Sequence, residues 1–100
     1  MAGDDEELAR ELAETFVQGV PGLVAELDDA VGRDSVPDLR RVAHTLKSHG
    51  ALLGDPPLER QAREVEELLL AGRLEEALAA ASRLRGAAVD TAARWSEVVR

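Results

Sequence analysis

Cysteine is absent from this 100-residue chain. That removes disulfide scaffolds, thiolate catalysis, Fe–S clusters and Cys-type zinc sites. Aromatic residues are almost as scarce, with one Phe, one Trp and no Tyr. Two such rings cannot build the stacking platforms that bind single-stranded nucleic acid. Bases are outnumbered, 12 Lys+Arg against 20 Asp+Glu, for a formal net charge of −8. A chain so balanced lacks the cationic field that holds a phosphate backbone, so no nucleic-acid partner is expected. Apolar runs such as Leu68-Leu69-Leu70-Ala71 fall far short of the roughly 20 residues that span a bilayer. The first residues, Met-Ala-Gly-Asp-Asp-Glu-Glu, are acidic where a secretory signal is basic and then apolar. The expectation is a cytoplasmic monomer with no membrane partner.

What the chain does have is enough apolar content to fold, 45% hydrophobic against 32% charged residues. Residues 1–100 read as a single domain, since no repeat, low-complexity tract or linker divides them. The apolar residues recur at helical spacing, and no segment alternates with period two. Leu8, Leu12, Phe16 and Val20 mark a first stripe, which Gly19, Pro21 and Gly22 interrupt. Leu23, Leu27, Ala30 and Val31 suggest a short second helix ending at Gly32. Ser35-Val36-Pro37-Asp38 reads as a helix start: a Ser cap, then Pro in the first turn, then Asp three residues after the cap. That helix runs through Leu39, Val42, Leu46 and Leu53 to Gly54. Asp55-Pro56 opens another, striped by Leu58, Ala62, Val65 and Leu69. A last helix begins near Arg73 and uses Leu74, Leu78, Ala81, Ala88, Ala92 and Trp95, with Trp95 as an expected core anchor. The fold expected is all-α: an antiparallel four-helix bundle core with an additional short N-terminal helix.

Charge is uneven along the chain. Residues 1–29 hold nine acids and one base, whereas residues 30–53 hold two acids and four bases. The helix after Ser35 is therefore a basic island in an acidic protein. At about 100° per residue from Leu39, the positions of Val42, Ala43, Leu46, Gly50 and Leu53 fall within about 60° and face the core. His44 falls at about 140°, on the solvent side, among Arg40, Lys47, Ser48 and Ala51. The bland reading is a solvated face that contains a His. The functional reading is a nucleophile, because an exposed imidazole is largely neutral at cell pH and adjacent cations can stabilise a phosphoryl group on the ring. No P-loop and no Gly-rich nucleotide loop accompanies it, so the chain is expected to carry a phosphoryl group but not to make one from ATP.

Two other chemistries fare worse. His44 and His49 are five residues apart and point about 140° apart, so one helix cannot bring both to a metal, and no metal site is expected. The acids Asp4, Asp5, Glu6 and Glu7 suit the positive end of a helix dipole. Glu64, Glu66 and Glu67 fit a solvated helix face, so no acid–base enzyme site is expected among them.

The segment Ala43-His44-Thr45-Leu46-Lys47-Ser48-His49-Gly50-Ala51-Leu52-Leu53-Gly54 resembles the signature of histidine-containing phosphotransfer (HPt) domains. Phe16, the Pro21-Gly22-Leu23 turn, Asp38-Leu39-Arg40-Arg41, Leu58 and Glu66-Glu67-Leu68 extend the likeness over about residues 8–95. The resemblance implies that His44 is the phosphoacceptor and that Lys47, one turn later, neutralises the phosphoryl charge. It implies a phosphorelay intermediate exchanging phosphoryl groups with the aspartate of a response-regulator receiver domain, with a histidine kinase as a further partner. Such a phosphocarrier is not an enzyme with its own nucleotide site, and it needs no cofactor, Mg²⁺ being expected on the receiver. The partner would meet His44, Lys47, Ser48, Ala51, Leu52, Arg40 and Arg41. Ser48 stands where many members have Gly, and His49 departs from the usual small polar residue; it reads as a boundary residue of the core. Two alternatives remain at this point: a helical interaction module that has lost phosphotransfer, and a kinase-associated phosphoacceptor domain phosphorylated in trans.

Overall fold

The computed structural model describes residues 2–99, with side-chain surroundings from Glu6 onward. Four helices follow one another: α1 (Ala2–Gly32), α2 (Val36–Leu53), α3 (Pro56–Leu70) and α4 (Leu74–Val99). They form an antiparallel bundle of 45 × 21 × 18 Å. In it α1 packs on α2 and α4, and α3 packs on the same two helices from the other side. The all-α bundle is the one the periodicity predicts.

The helix boundaries follow from local chemistry. Ser35 caps α2, its hydroxyl accepting from the Asp38 N–H, and Pro37 sits in the first turn where no donor is missed. Asp55 caps α3 in the same way, accepting from the Leu58 N–H at 3.2 Å. Gly54 ends α2 in the left-handed region at φ 63°, a conformation that costs glycine nothing. Its N–H returns to the last turn of α2, so the α2–α3 connection is only two residues long.

The separate short N-terminal helix is corrected. Gly19, Pro21 and Gly22 do not break the chain, and α1 runs through them as one helix of 31 residues. Pro21 removes one hydrogen bond, but Phe16, Val20, Val24, Leu27 and Ala30 form an unbroken buried stripe on either side of it. Tertiary burial of that stripe outweighs the local penalty of a few kcal/mol. Two other expectations also change. Leu8 and Leu12 are exposed, because Phe16 already packs on His49 near the end of α2, so the first turns of α1 have no α2 beside them. Trp95 is half-buried at the rim of a groove shared with Leu53, Pro56 and Val98, and the interior of α4 is filled by Ala77, Ala80, Ala81, Leu84, Ala88 and Thr91 instead. Small alanines let α4 lie close to its neighbours, leaving no space for an indole. Asp4 and Asp5 belong to the first turns of α1, but their side chains lie outside the described residues; Glu6 and Glu7 are exposed.

The core is one cluster drawn from all four helices, with Leu39, Val42, Ala43 and Leu46 as the contribution of α2. Those four fix the rotation of α2 about its axis. Everything on its opposite side, His44 included, is thereby turned outward.

Candidate functional site

Gly50 sets how closely α3 approaches. A Cβ placed there would lie 2.7 Å from the Glu59 backbone nitrogen and 3.0 Å from its Cα, closer than packed atoms tolerate. The first turns of α3 therefore rest against the α2 backbone. One consequence is felt two turns away, where α3 brings a carboxylate under the exposed histidine.

That carboxylate is Glu66. Its side chain is only 16% exposed, whereas that of His44 is 64% exposed. Glu66 Oε1 lies 3.3 Å from His44 Nδ1, and Glu66 Oε2 lies 3.2 Å from Lys47 Nζ, accepting a hydrogen bond from it. One carboxylate thus bridges the two residues that stand a turn apart on α2. The Nδ1–Oε1 approach is within ion-pair distance but not aligned as a hydrogen bond, and Oε1 is buried without a hydrogen-bond partner. Among the described residues no hydrogen bond or ion pair engages His44 Nε2.

Glu66 is the residue that the sequence reading placed wrongly, on a solvated face with Glu64 and Glu67. Glu64 is partly exposed and pairs with Arg83 at 2.9 Å, and Glu67 is exposed. The signal for Glu66 is its place at a border. On the wheel of α3 it falls about 40° beyond Ala62 and about 60° from Leu69, at the edge of the apolar arc. A charged residue at that edge is one a neighbouring helix can cover, and such groups are buried only when partnered.

The remaining expected residues divide. Arg40, Arg41, His44 and Thr45 line a cleft of about 510 Å³ with Pro37 and Glu66, so the structure brings two guanidiniums to the phosphoacceptor candidate. Arg41 is engaged there, 3.6 Å from Glu26 and 3.9 Å from Asp38. Arg40 makes no ion pair among the described residues and is exposed. Ser48 and Ala51 are exposed beyond His44, and the Ser48 hydroxyl donates back to the His44 carbonyl at 3.2 Å, which folds it onto the helix. Leu52 is 66% exposed, a large apolar side chain left in water two turns from His44.

His49 is a boundary residue, as its position on the wheel implies. It is half-buried and packs on Phe16, ring centroids 5.3 Å apart. Burial pushes its pKa down from the ordinary 6.5. No group of three or more His, Asp or Glu side chains converges as a metal site among the described residues.

An accessible imidazole on an antiparallel bundle, with Lys one turn on, is the arrangement that the resemblance to phosphotransfer domains implies. The family model for the Hpt domain matches residues 11–95. The chain belongs to the Hpt domain family. Hpt domains are phosphotransfer carriers that work through histidine in phosphorelays, with receiver domains and kinases as partners. Neither the curated proteins nor the solved structures give a significant match. No described helix is long and apolar enough to cross a membrane.

Proposed function

We propose that His44 is the phosphoacceptor and that it exchanges phosphoryl groups with the phosphoaspartate of a response-regulator receiver domain. The observation that supports this most is the Glu66 carboxylate shared between His44 Nδ1 and Lys47 Nζ. A carboxylate at Nδ1 favours the tautomer with its proton there, leaving the Nε2 lone pair directed away.

Nε2 then attacks phosphorus. The N–P bond forms as the P–O bond of the acyl phosphate breaks, and the receiver aspartate leaves as a carboxylate. The Nδ1 proton stays on the ring, which becomes a phosphorylated imidazolium. Its positive charge is balanced by Glu66, and the phosphoryl oxygens are within reach of Lys47 and Arg40. The reverse sequence returns the group to an aspartate. In this scheme the receiver holds Mg²⁺ and most of the transfer machinery, and this chain binds no nucleotide. The partner meets the face formed by Arg40, Arg41, His44, Ser48, Ala51 and Leu52, where cations surround a small-residue path and one exposed leucine.

The test is incubation with a receiver phosphorylated by a small-molecule phosphodonor. Wild type takes up acid-labile, alkali-stable label, and His44→Gln, a change at an exposed position, takes up none while melting as wild type does. Undiminished labelling of His44→Gln contradicts the assignment.

A further inference from the structure

On one side of His44 the fold leaves apolar surface open to solvent. Gly50 resting on Glu59 and Lys47 held by Glu66 fix α2 and α3 in antiparallel register. Leu70 stands four residues on from Glu66, about 6 Å along α3, and Arg40 stands four residues back from His44, about 6 Å along α2. The two are thus level across the helix pair, one turn from the ring. Leu70 is 70% exposed and ends α3, whereas its neighbours Leu68 and Leu69 pack on the core. Val36, one turn before Arg40 and 39% exposed, falls within about 20° of Lys47 on the wheel of α2, on the flank toward α3. Pro37 beside it is exposed and lines the His44 cleft. One exposed leucine is ordinary on a protein surface. Leu70, Val36 and Pro37 at the mouth of one cleft make a patch that continues the His44 site.

That patch holds an uncompensated charge. Of the cations on this side of the bundle, Lys47 is held by Glu66 at 3.2 Å, Arg41 lies 3.6 Å from Glu26, and Arg63 of α3 is held by Glu59 at 2.6 Å. Arg40 is exposed and pairs with no carboxylate among the described residues. The acids on this flank of α3, Glu59 and Glu66, are the partners just named, and Glu67 is turned about 100° further round. The α1 flank of α2 differs. It meets Arg41 with Glu26, and residues 1–29 carry nine acids against the single base Arg10. A partner bringing an anionic phosphoryl group to His44 is repelled on the α1 flank and meets a free guanidinium on the α3 flank.

We infer that the receiver domain docks across α2 and α3, with Leu70 as its apolar anchor and Arg40 as its charge anchor; this rests on the phosphotransfer reading above. The receiver surface beside its phosphoaspartate then supplies apolar side chains that cover Leu70, Val36 and Pro37, and a carboxylate that pairs with Arg40. A guanidinium among apolar side chains is the composition of an interface hot spot. Leu52, about 12 Å from His44 along α2 in the other direction, puts a second exposed leucine at the far end of the face. From Leu52 to Arg40 is about 18 Å, which fits within a standard interface of about 800 Å² per partner. Leu70 thereby sets which receivers are accepted without touching the ring that carries the phosphoryl group.

The test uses the full chain and a receiver domain, loaded by acetyl phosphate, that labels it. Quench-flow transfer is followed against receiver concentration, and labelling of His44 by phosphoramidate is followed alongside. Leu70→Ser raises the receiver concentration for half-maximal transfer at least about fivefold, Val36→Ser raises it at least about twofold, and Leu70→Met restores it. The Leu70 and Val36 variants keep wild-type phosphoramidate labelling and helical content, because both positions are open to solvent. Val98→Ser, at an exposed apolar position on α4, changes nothing. Arg40→Ala raises half-saturation at least about fivefold and flattens its dependence on salt. Amide shifts on adding the unphosphorylated receiver fall in residues 36–44 and 66–71. Wild-type half-saturation in Leu70→Ser overturns the proposal, as do shifts that spread from α2 to residues 15–26 and leave 66–71 unmoved. Equal loss of phosphoramidate labelling in Leu70→Ser also overturns it, since the effect is then not one of docking. If neither phosphoramidate nor any receiver labels the wild-type chain, the phosphotransfer reading itself fails and the inference falls with it.

Discussion

Glu66 Oε1 stands 3.3 Å from His44 Nδ1 while the same carboxylate holds Lys47, so the phosphoacceptor candidate and its charge partner share one partly buried group from the next helix. Two residues that are neighbours in sequence are thereby oriented by a third, 19 positions beyond Lys47. The relationship separates what α2 supplies, an outward imidazole, from what α3 supplies, a carboxylate beside its Nδ1.

The first prediction concerns that carboxylate. Glu66→Ala removes the Nδ1 acceptor and frees Lys47, and phosphotransfer to His44 slows by about tenfold or more, equivalent to ~1.4 kcal/mol of transition-state stabilisation. Glu66→Gln keeps an acceptor without the charge and falls between the two. Quench-flow transfer from a phosphorylated receiver measures both. Rates equal to wild type in both variants remove Glu66 from the mechanism.

Gly50→Ala is expected to destabilise the fold in spite of its higher helix propensity. The gain from alanine is up to about 1 kcal/mol. Against it stands a Cβ driven to 2.7 Å from the Glu59 backbone, an overpacking of about 1–3 kcal/mol that a rigid helix start cannot relieve. Urea unfolding followed by circular dichroism should give a lower midpoint with an unchanged slope. A higher midpoint contradicts the close approach.

Asp55 ties three segments together. It caps α3 and accepts from the Thr91 hydroxyl at 2.9 Å and from Arg94 at 2.7 Å, fastening the α2–α3 turn to α4. Burial pushes the carboxyl up, but the Leu58 N–H, the Thr91 and Arg94 hydrogen bonds and the Arg94 charge together hold it below the ordinary 3.8. Asp55→Ala loses the cap, worth about 1 kcal/mol, and leaves the buried Thr91 hydroxyl without its acceptor, a further ~1–3 kcal/mol. Asp55→Asn keeps the cap and loses less. Thermal melts rank them; an Asp55→Ala melt equal to wild type contradicts this reading.

Stability should fall as pH drops below about 6.5 through His49. Its folded pKa is depressed by burial, so the unfolded chain binds the proton more readily, and the stability present above the ordinary 6.5 is lost as pH falls toward the folded value. Asp55, also depressed, adds a separate loss only below its ordinary 3.8. Urea midpoints at pH 7.5 and 5.5 show the His49 effect, and His49→Leu reduces the difference. An equal difference in His49→Leu assigns the effect elsewhere.

These expectations also show which features were legible in the sequence. Caps and stops at Ser35, Asp55 and Gly54 were readable because each is a local interaction spanning three or four residues. The outward position of His44 was readable because four apolar neighbours fix the rotation of α2. Pro21 misled for the opposite reason: its local penalty is real, but the Phe16-to-Ala30 stripe that overrides it acts through α2 and α4. Leu8, Leu12 and Trp95 misled because helical phase does not say where a neighbouring helix ends. Glu66 required a wheel for α3 as well as for α2, and its partners could be named only once Gly50 had shown how near the two helices lie.

The central claim is that His44 carries the phosphoryl group on Nε2 with Nδ1 turned to Glu66. NMR of the phosphorylated chain, labelled with ¹⁵N at histidine, tests it most directly. The account predicts one phosphoramidate, on Nε2 of His44, with His49 unmodified. Phosphorylation on Nδ1 of His44, or on His49, would contradict it.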